Sequence, residues 1–202
     1  MKDLKSTRAR FRAMHSEFFV IPNAWKVGSQ LEKLDFTPIA TTSAGLAASM
    51  GRDDLSLSRD ETLRNIRTLC EATDLPVNAD FEAGFADGAE GIAATVELAC
   101  QAGVSGLSIE DRKAGVLYDF PSAVARIEAA RAALDKVDPN IVLVRRSQGY
   151  LVGNSDVHAT IERLKAYGAA GADVLYAPGV STPSRQSGSM SWSNAPTRAR
   201  VN

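Results

Sequence analysis

The chain has 202 residues, 45% hydrophobic and 23% charged, enough for one sizeable core in a soluble protein. A formal net charge of −1 gives no electrostatic case for nucleic acid or a membrane surface, and no run of 18 apolar residues exists to span a bilayer. The basic, polar start lacks the apolar centre of a signal peptide, and Cys70 and Cys100 lie far apart without metal-ligand spacing; a cytoplasmic protein with buried, reduced thiols is expected.

In chain order, residues 8–15 read as a short leading helix. Residues 18–24 form the first strand, and residues 28–34 a short helix with Leu31 and Leu34 on one face. Residues 38–43 form the second strand. Its small, hydroxyl-rich end leaves room for a ligand, and a loop with Gly45, Gly51, Asp53 and Asp54 follows. Ser58 and Glu61 match a capping box, after which Leu63, Ile66, Leu69 and Cys70 repeat at helical spacing. Residues 75–85 begin as an apolar strand and end in Asp80 and Glu82, with Gly84 to turn the backbone away. Ile92, Val96, Ala99 and Cys100 mark a helix that Gly103 can stop. The fourth strand, residues 106–111, ends in Glu110 and Asp111. Val124, Ile127, Ala130 and Leu134 mark a helix after Pro121. The fifth strand, residues 141–146, ends in Arg145 and Arg146. Val157, Ile161 and Leu164 mark another helix, and residues 172–178 form the sixth strand.

Strand and helix thus alternate six times, which implies a parallel sheet with right-handed crossovers. The strands show no strict period of two, as expected when both faces are covered. No GxGxxG follows the first strand, which weighs against a dinucleotide-binding sheet. The functional residue types at the ends of strands two to five favour an α/β fold of the (β/α)8 TIM-barrel type, incomplete, with about six βα units. Barrels carry their chemistry at the C-terminal strand ends. Asp80, Glu82, Glu110 and Asp111 could therefore face one site, and such oxygen-only ligands suit Mg²⁺ with several waters retained. Arg145 and Arg146 point opposite ways on a strand, so only one of them can face it. His15 and His158, on helices away from the barrel mouth, are expected at the surface. The barrel body is assigned to residues 1–180. Residues 181–202 hold six Ser and three Arg but no Asp, Glu, Leu, Ile or Phe, and are expected to be an irregular tail.

Several motifs occur in a recognisable order: Ile21-Pro22-Asn23-Ala24-Trp25, Ala40-Thr41-Thr42-Ser43-Ala44-Gly45, Asn78-Ala79-Asp80-Phe81-Glu82-Ala83-Gly84-Phe85 and Ser108-Ile109-Glu110-Asp111. With Arg146 and the run from Gly171 to Gly179, the chain resembles the isocitrate lyase/phosphoenolpyruvate mutase superfamily over residues 8–180. The resemblance implies a Mg²⁺-binding barrel that makes or breaks C–C or P–C bonds beside a small 2-oxo or 2-hydroxy acid through an enolate-like state. It implies that Asp80 and Glu110 serve the metal, directly or through waters, and that Asp54 is the acidic residue of the loop after strand two. Ser43 with Gly45 would cradle the substrate carboxylate, and Arg146 would neutralise the reacting oxygens. A small-molecule oxo-acid is the implied partner, and a homo-oligomer is compatible with the family.

The sequence also departs from the family. Asn78 stands where many relatives carry Asp, and Lys26 where they often carry Asp. The loop 112–118 has neither the cysteine nor the histidine of the lyases, so cleavage of isocitrate or methylisocitrate is not expected. The family's seventh and eighth strands are missing, with the Ser/Arg-rich segment in their place. A truncated, inactive member with at most a binding role is the alternative reading.

Overall fold

The computed structural model describes residues 3–24 and 28–180. Trp25, Lys26, the residues from 181 onward and the proposed boundary at 180 lie outside them or at their limit. Six parallel strands form one sheet in the order β1 (Asn23–Ala24), β2 (Ile39–Thr41), β3 (Val77–Asp80), β4 (Gly106–Glu110), β7 (Val142–Arg146) and β8 (Val174–Tyr176). A small antiparallel hairpin, β5 (Arg112–Lys113) and β6 (Val116–Leu117), follows β4. The helices are α1 (Leu4–Met14), α2 (Gly28–Glu32), α3 (Ser43–Ser49), α4 (Arg59–Ala72), α5 (Ala89–Gln101), α6 (Phe120–Val137) and α7 (Val157–Ala169).

Local chemistry explains most boundaries. The Asp3 carboxylate accepts from the Lys5 and Ser6 amides and starts α1 four residues earlier than apolar spacing alone indicates. Ser58 and Glu61 form the expected reciprocal capping box on α4. Asp119 caps α6, with Pro121 in its first turn. α5 stops just before Gly103, whose φ of +101° is easy only for glycine.

The sheet's pleat separates two environments. Val77, Ala79, Leu107, Ile109 and Leu143 are fully buried and pack under the helices with Ile66, Val96 and Ile127. Asn78, Asp80, Ser108, Val144 and Arg146 face the other way, into a cavity of about 780 Å³ lined by residues of all six strands. One face of a sheet can surround one cavity only by curving, and consecutive strands joined by helices give six βα units of a barrel. The barrel is not closed: among the described residues β1 pairs only with β2, and β8 only with β7.

Helix α1 is fastened across the N-terminal strand ends. Arg8 donates to the Val104 and Cys100 carbonyls, and Arg12 grips both oxygens of Asp173 and donates to the Asn140 and Ile141 carbonyls. Phe11 is buried against Gly106, where an added Cβ would sit 2.6 Å from its ring.

Three expectations need correction. The first strand is two residues long, not seven; Phe18 is 94% exposed, because an edge strand with one neighbour has few ladder bonds to extend it. The segment after strand two is not only loop: Thr42 accepts from the Gly45 amide and caps α3. His15 is not a surface residue; it lines the cavity and packs edge-on against Phe11 and Phe19, and burial lowers its pKa. His158 is exposed, and both cysteines are buried.

Candidate functional site

The C-terminal ends of β3, β4 and β7 bring three charged side chains together. Asp80, Glu110 and Arg146 are each the last residue of a strand, and Glu110 is in register with Arg146. Arg146 Nη1 lies 3.3 Å from Asp80 Oδ1 and 2.9 Å from Glu110 Oε1, so one guanidinium bridges both carboxylates. A strand-end ion pair between Arg146 and Glu110 and a shared site are therefore the same arrangement. The other Asp80 oxygen accepts from the Ser43 amide at 3.1 Å and the Ser43 hydroxyl at 3.0 Å. The Asp80 amide donates to Thr41 Oγ1 at 2.8 Å. Each oxygen of Asp80 thus has a donor, and its rotamer is fixed by Arg146 of β7 on one side and the first residue of α3 on the other.

Glu110 is held on its second oxygen by Arg112 Nε at 3.1 Å. Burial raises its pKa, while Arg146 and Arg112 pull it down and Asp80 adds to the rise. Glu82 follows Asp80 by two residues and is only 7% exposed. Its φ is +47°, and its Oε1 is buried without a hydrogen-bond partner. Burial, together with the charges of Asp80, Asp54 and Glu110, pushes its pKa up to about 7. The site therefore crowds carboxylates beyond what its two arginines neutralise.

The remaining expected residues separate. Asp54 is exposed, accepts from the Leu55 amide and reaches the site through its charge on Glu82. The Gly45 amide donates to Thr42 Oγ1. Asp111 does not face the site. It is fully buried on the helix side and accepts from the Gln148 amide and the Tyr167 hydroxyl, with Arg163 at 3.6 Å. The pleat dictates this, since neighbours on an extended segment point to opposite sides. The same rule separates the two arginines of β7: Arg145 is wholly buried over the Tyr167 ring and donates to the Glu110 carbonyl.

Two contributors escape motif reading. Thr41 buttresses the Asp80 backbone, and Arg112 lies in a segment read above only for the cysteine it lacks. The alternation along β5 gave the available signal for Arg112: it points inward while Lys113 pairs outward with Asp87. Among the described residues no three of His, Cys, Asp and Glu form a ready ligand cluster. The donors that do converge are oxygens only, and the buried Glu82 Oε1 has no hydrogen-bond partner. This set fits a hard divalent cation held partly through waters better than it fits Zn²⁺, which prefers nitrogen and sulfur.

The family model for phosphoenolpyruvate phosphomutase matches residues 11–193. The chain belongs to that family. The superfamily resemblance carried by the motifs is thus membership. The chain is 34% identical to 2-methylisocitrate lyase of Escherichia coli (strain K12) over 154 residues, 72% of this chain and 51% of that protein. It is 35% identical to oxaloacetate decarboxylase of Rhodopseudomonas palustris (strain ATCC BAA-98 / CGA009) over 147 residues, 69% of this chain and 50% of that one. The crystal structure of a Burkholderia cenocepacia J2315 protein, provisionally assigned as a lyase/mutase, superposes with a TM-score of 0.90 at 41% identity, covering 96% of this chain and 73% of that chain. This phosphomutase-family chain spans about half the length of the curated relatives it matches.

Proposed function

We propose that this chain is a Mg²⁺-dependent lyase- or mutase-type enzyme acting on a small 2-oxo or 2-hydroxy acid through an enolate-like state. The observation that carries the reading is the bridge of Asp80 and Glu110 by one arginine, beside a buried Glu82 whose Oε1 has no hydrogen-bond partner. Asp80 and Glu110 would hold the cation, directly or through waters, with Glu82 adding charge from behind. When bound, Mg²⁺ supplies Lewis acidity toward the substrate oxygen that becomes enolate-like. Arg146 stabilises the negative charge that grows there, in a place its two carboxylates fix beforehand. Ser43 acts through Asp80, to which it gives both its donors. A substrate carboxylate resting on Ser43 and Gly45 would have to compete for donors that Asp80 and Thr42 already use. Asp54 contributes charge from its exposed loop.

Calorimetric titration of MgCl₂ tests the reading. Asp80→Ala should weaken binding by about tenfold or more, since a charge-assisted ligand is lost. Equal affinity in the two proteins would sink it. The sheet edges left open among the described residues favour a second reading, an inactive member that binds but does not turn over. Mg²⁺ binding without consumption of any 2-oxo or 2-hydroxy acid would select that one.

A further inference from the structure

We infer that Arg112 is a second anion-recognising residue of this site, and that it selects substrates carrying a second carboxylate. The inference rests on the reading of the site given above and extends it to substrate class. Arg112 enters the site from the hairpin that directly follows Glu110. The hairpin turns at Ala114 and Gly115, with φ of +49° and +78°, a two-residue turn that fixes the register of Arg112 opposite Leu117. Its side chain is 16% exposed, whereas the Asp87 pair of neighbouring Lys113 is well exposed.

The Arg112 guanidinium meets Glu110 only through Nε. Among the described residues the protein gives Nη1 and Nη2 no partner. A planar guanidinium bound along one edge keeps its other edge for a carboxylate, where two parallel N–H donors can act together. Its 3.1 Å contact with Glu110 and its low exposure keep the charge at the carboxylate cluster rather than out in solvent. Arg146 and Arg112 flank the two oxygens of one carboxylate, at 2.9 and 3.1 Å. The two cations therefore stand only a carboxylate's width and two hydrogen bonds apart. That spacing suits the two ends of a four-carbon dicarboxylate. A monocarboxylate would use Arg146 and leave Arg112 idle. If Arg112 served only to pin the hairpin, its loss would affect both kinds of ligand alike.

The test compares two stable 2-hydroxy acids, L-lactate and L-malate, which differ in the distal carboxylate. Each is titrated by calorimetry into the full chain at saturating MgCl₂. The wild type should bind malate about tenfold more tightly than lactate, as one charge-assisted bidentate contact allows. Arg112→Ala should bring the ratio of malate to lactate affinity down to about one, while Arg112→Lys keeps part of the difference. Should Arg112→Ala fail to fold, Arg112→Gln removes the charge, keeps a donor for Glu110 and serves the same comparison. A variant that weakens both ligands equally, or keeps the malate preference, overturns the role of Arg112 and leaves the metal-site reading intact. A wild type that binds Mg²⁺ and lactate but shows no malate preference does the same. A wild type that binds no Mg²⁺ overturns both.

Discussion

At Glu82 the backbone and the side chain are both held against their preferences. A φ of +47° is uncommon for a residue with a Cβ, and a carboxylate with a buried, unpartnered oxygen resists ionisation. Its pKa is about 7 in the folded chain against 4.5 for the free group. Below pH 4.5 it is neutral in both states and costs nothing. Between pH 4.5 and 7 the unfolded chain releases the proton first, so stability falls as pH rises through this window, then levels off. The full loss is roughly 3 kcal/mol by linkage. Glu82→Gln should remove this slope: urea melts without metal should show the variant more stable than wild type at pH 8 and about equal at pH 4.5. A wild-type slope that persists in the variant would place the titration elsewhere. Addition of Mg²⁺ should flatten the wild-type slope, because a nearby dication favours the ionised carboxylate. The residue types of this site were legible in the sequence because Asp80, Glu82 and Glu110 close apolar strands. The role of Asp111 was not, since a carboxylate beside Glu110 looks equally suited to the site until the pleat turns it toward Tyr167.

The elements that sequence patterns found are those with strong local chemistry, such as α4 with its capping box and α6 with its Asp119 cap and Pro121. The elements they missed are short and held by tertiary contacts. α3 rests on the Thr42 cap and a small apolar cluster of Leu46, Ala47 and Leu57, and the β5–β6 hairpin on a two-residue turn. That hairpin lies where the lyases carry their cysteine-bearing loop, and residues 112–118 contain no thiol. Retro-aldol cleavage leaves an enolate-like carbanion that an acid must protonate, whereas a 2-oxo diacid that loses carbon dioxide from the carboxylate β to its oxo group passes the electron pair into that oxo group and needs no acid at the bond-breaking step. Incubation with 2-methylisocitrate should therefore release no pyruvate; release that Asp80→Ala abolishes would refute this. The loop before α5 has a different anchor. Arg126 of α6 is 1% exposed, donates to the Ala83, Ala86 and Asp87 carbonyls and stacks over the Tyr118 ring. It holds Glu82, Gly84 and Phe85 in their left-handed conformations from the helix side. Arg126→Met should cost about 2–4 kcal/mol, the scale for stranding buried carbonyls that had a charged donor. Hydrogen exchange should rise first across residues 82–88; uniform loss of protection over α6 as well would mean that Arg126 serves the helix rather than the loop.

On the scale of the whole molecule, the site and the weak part of the sheet are different places. Asp80, Glu110 and Arg146 sit on β3, β4 and β7, each paired on both sides, while among the described residues the unpaired edges belong to β1 and β8. An eight-stranded barrel fills its interior with layers of side chains and leaves no edge. Here the interior face borders a cavity of about 780 Å³, and Phe18, Val20 and Tyr176 near those edges are 94%, 59% and 52% exposed. Open strand edges beside exposed apolar groups invite pairing with another chain. The full chain should therefore elute from a sizing column in a concentration-dependent way and melt over a broad range. If Asp80 and Glu110 hold the cation as proposed, Mg²⁺ at about a hundred times its dissociation constant should still add roughly 2.7 kcal/mol to the fold, because both residues lie on central strands. In Asp80→Ala the broad melt and the association should persist while the Mg²⁺ effect disappears, since edge and site lie apart. A monodisperse monomer with one sharp melt would show that six strands with α1 across their base suffice. A Mg²⁺ effect that vanished only with the association would show that edge and site are coupled after all.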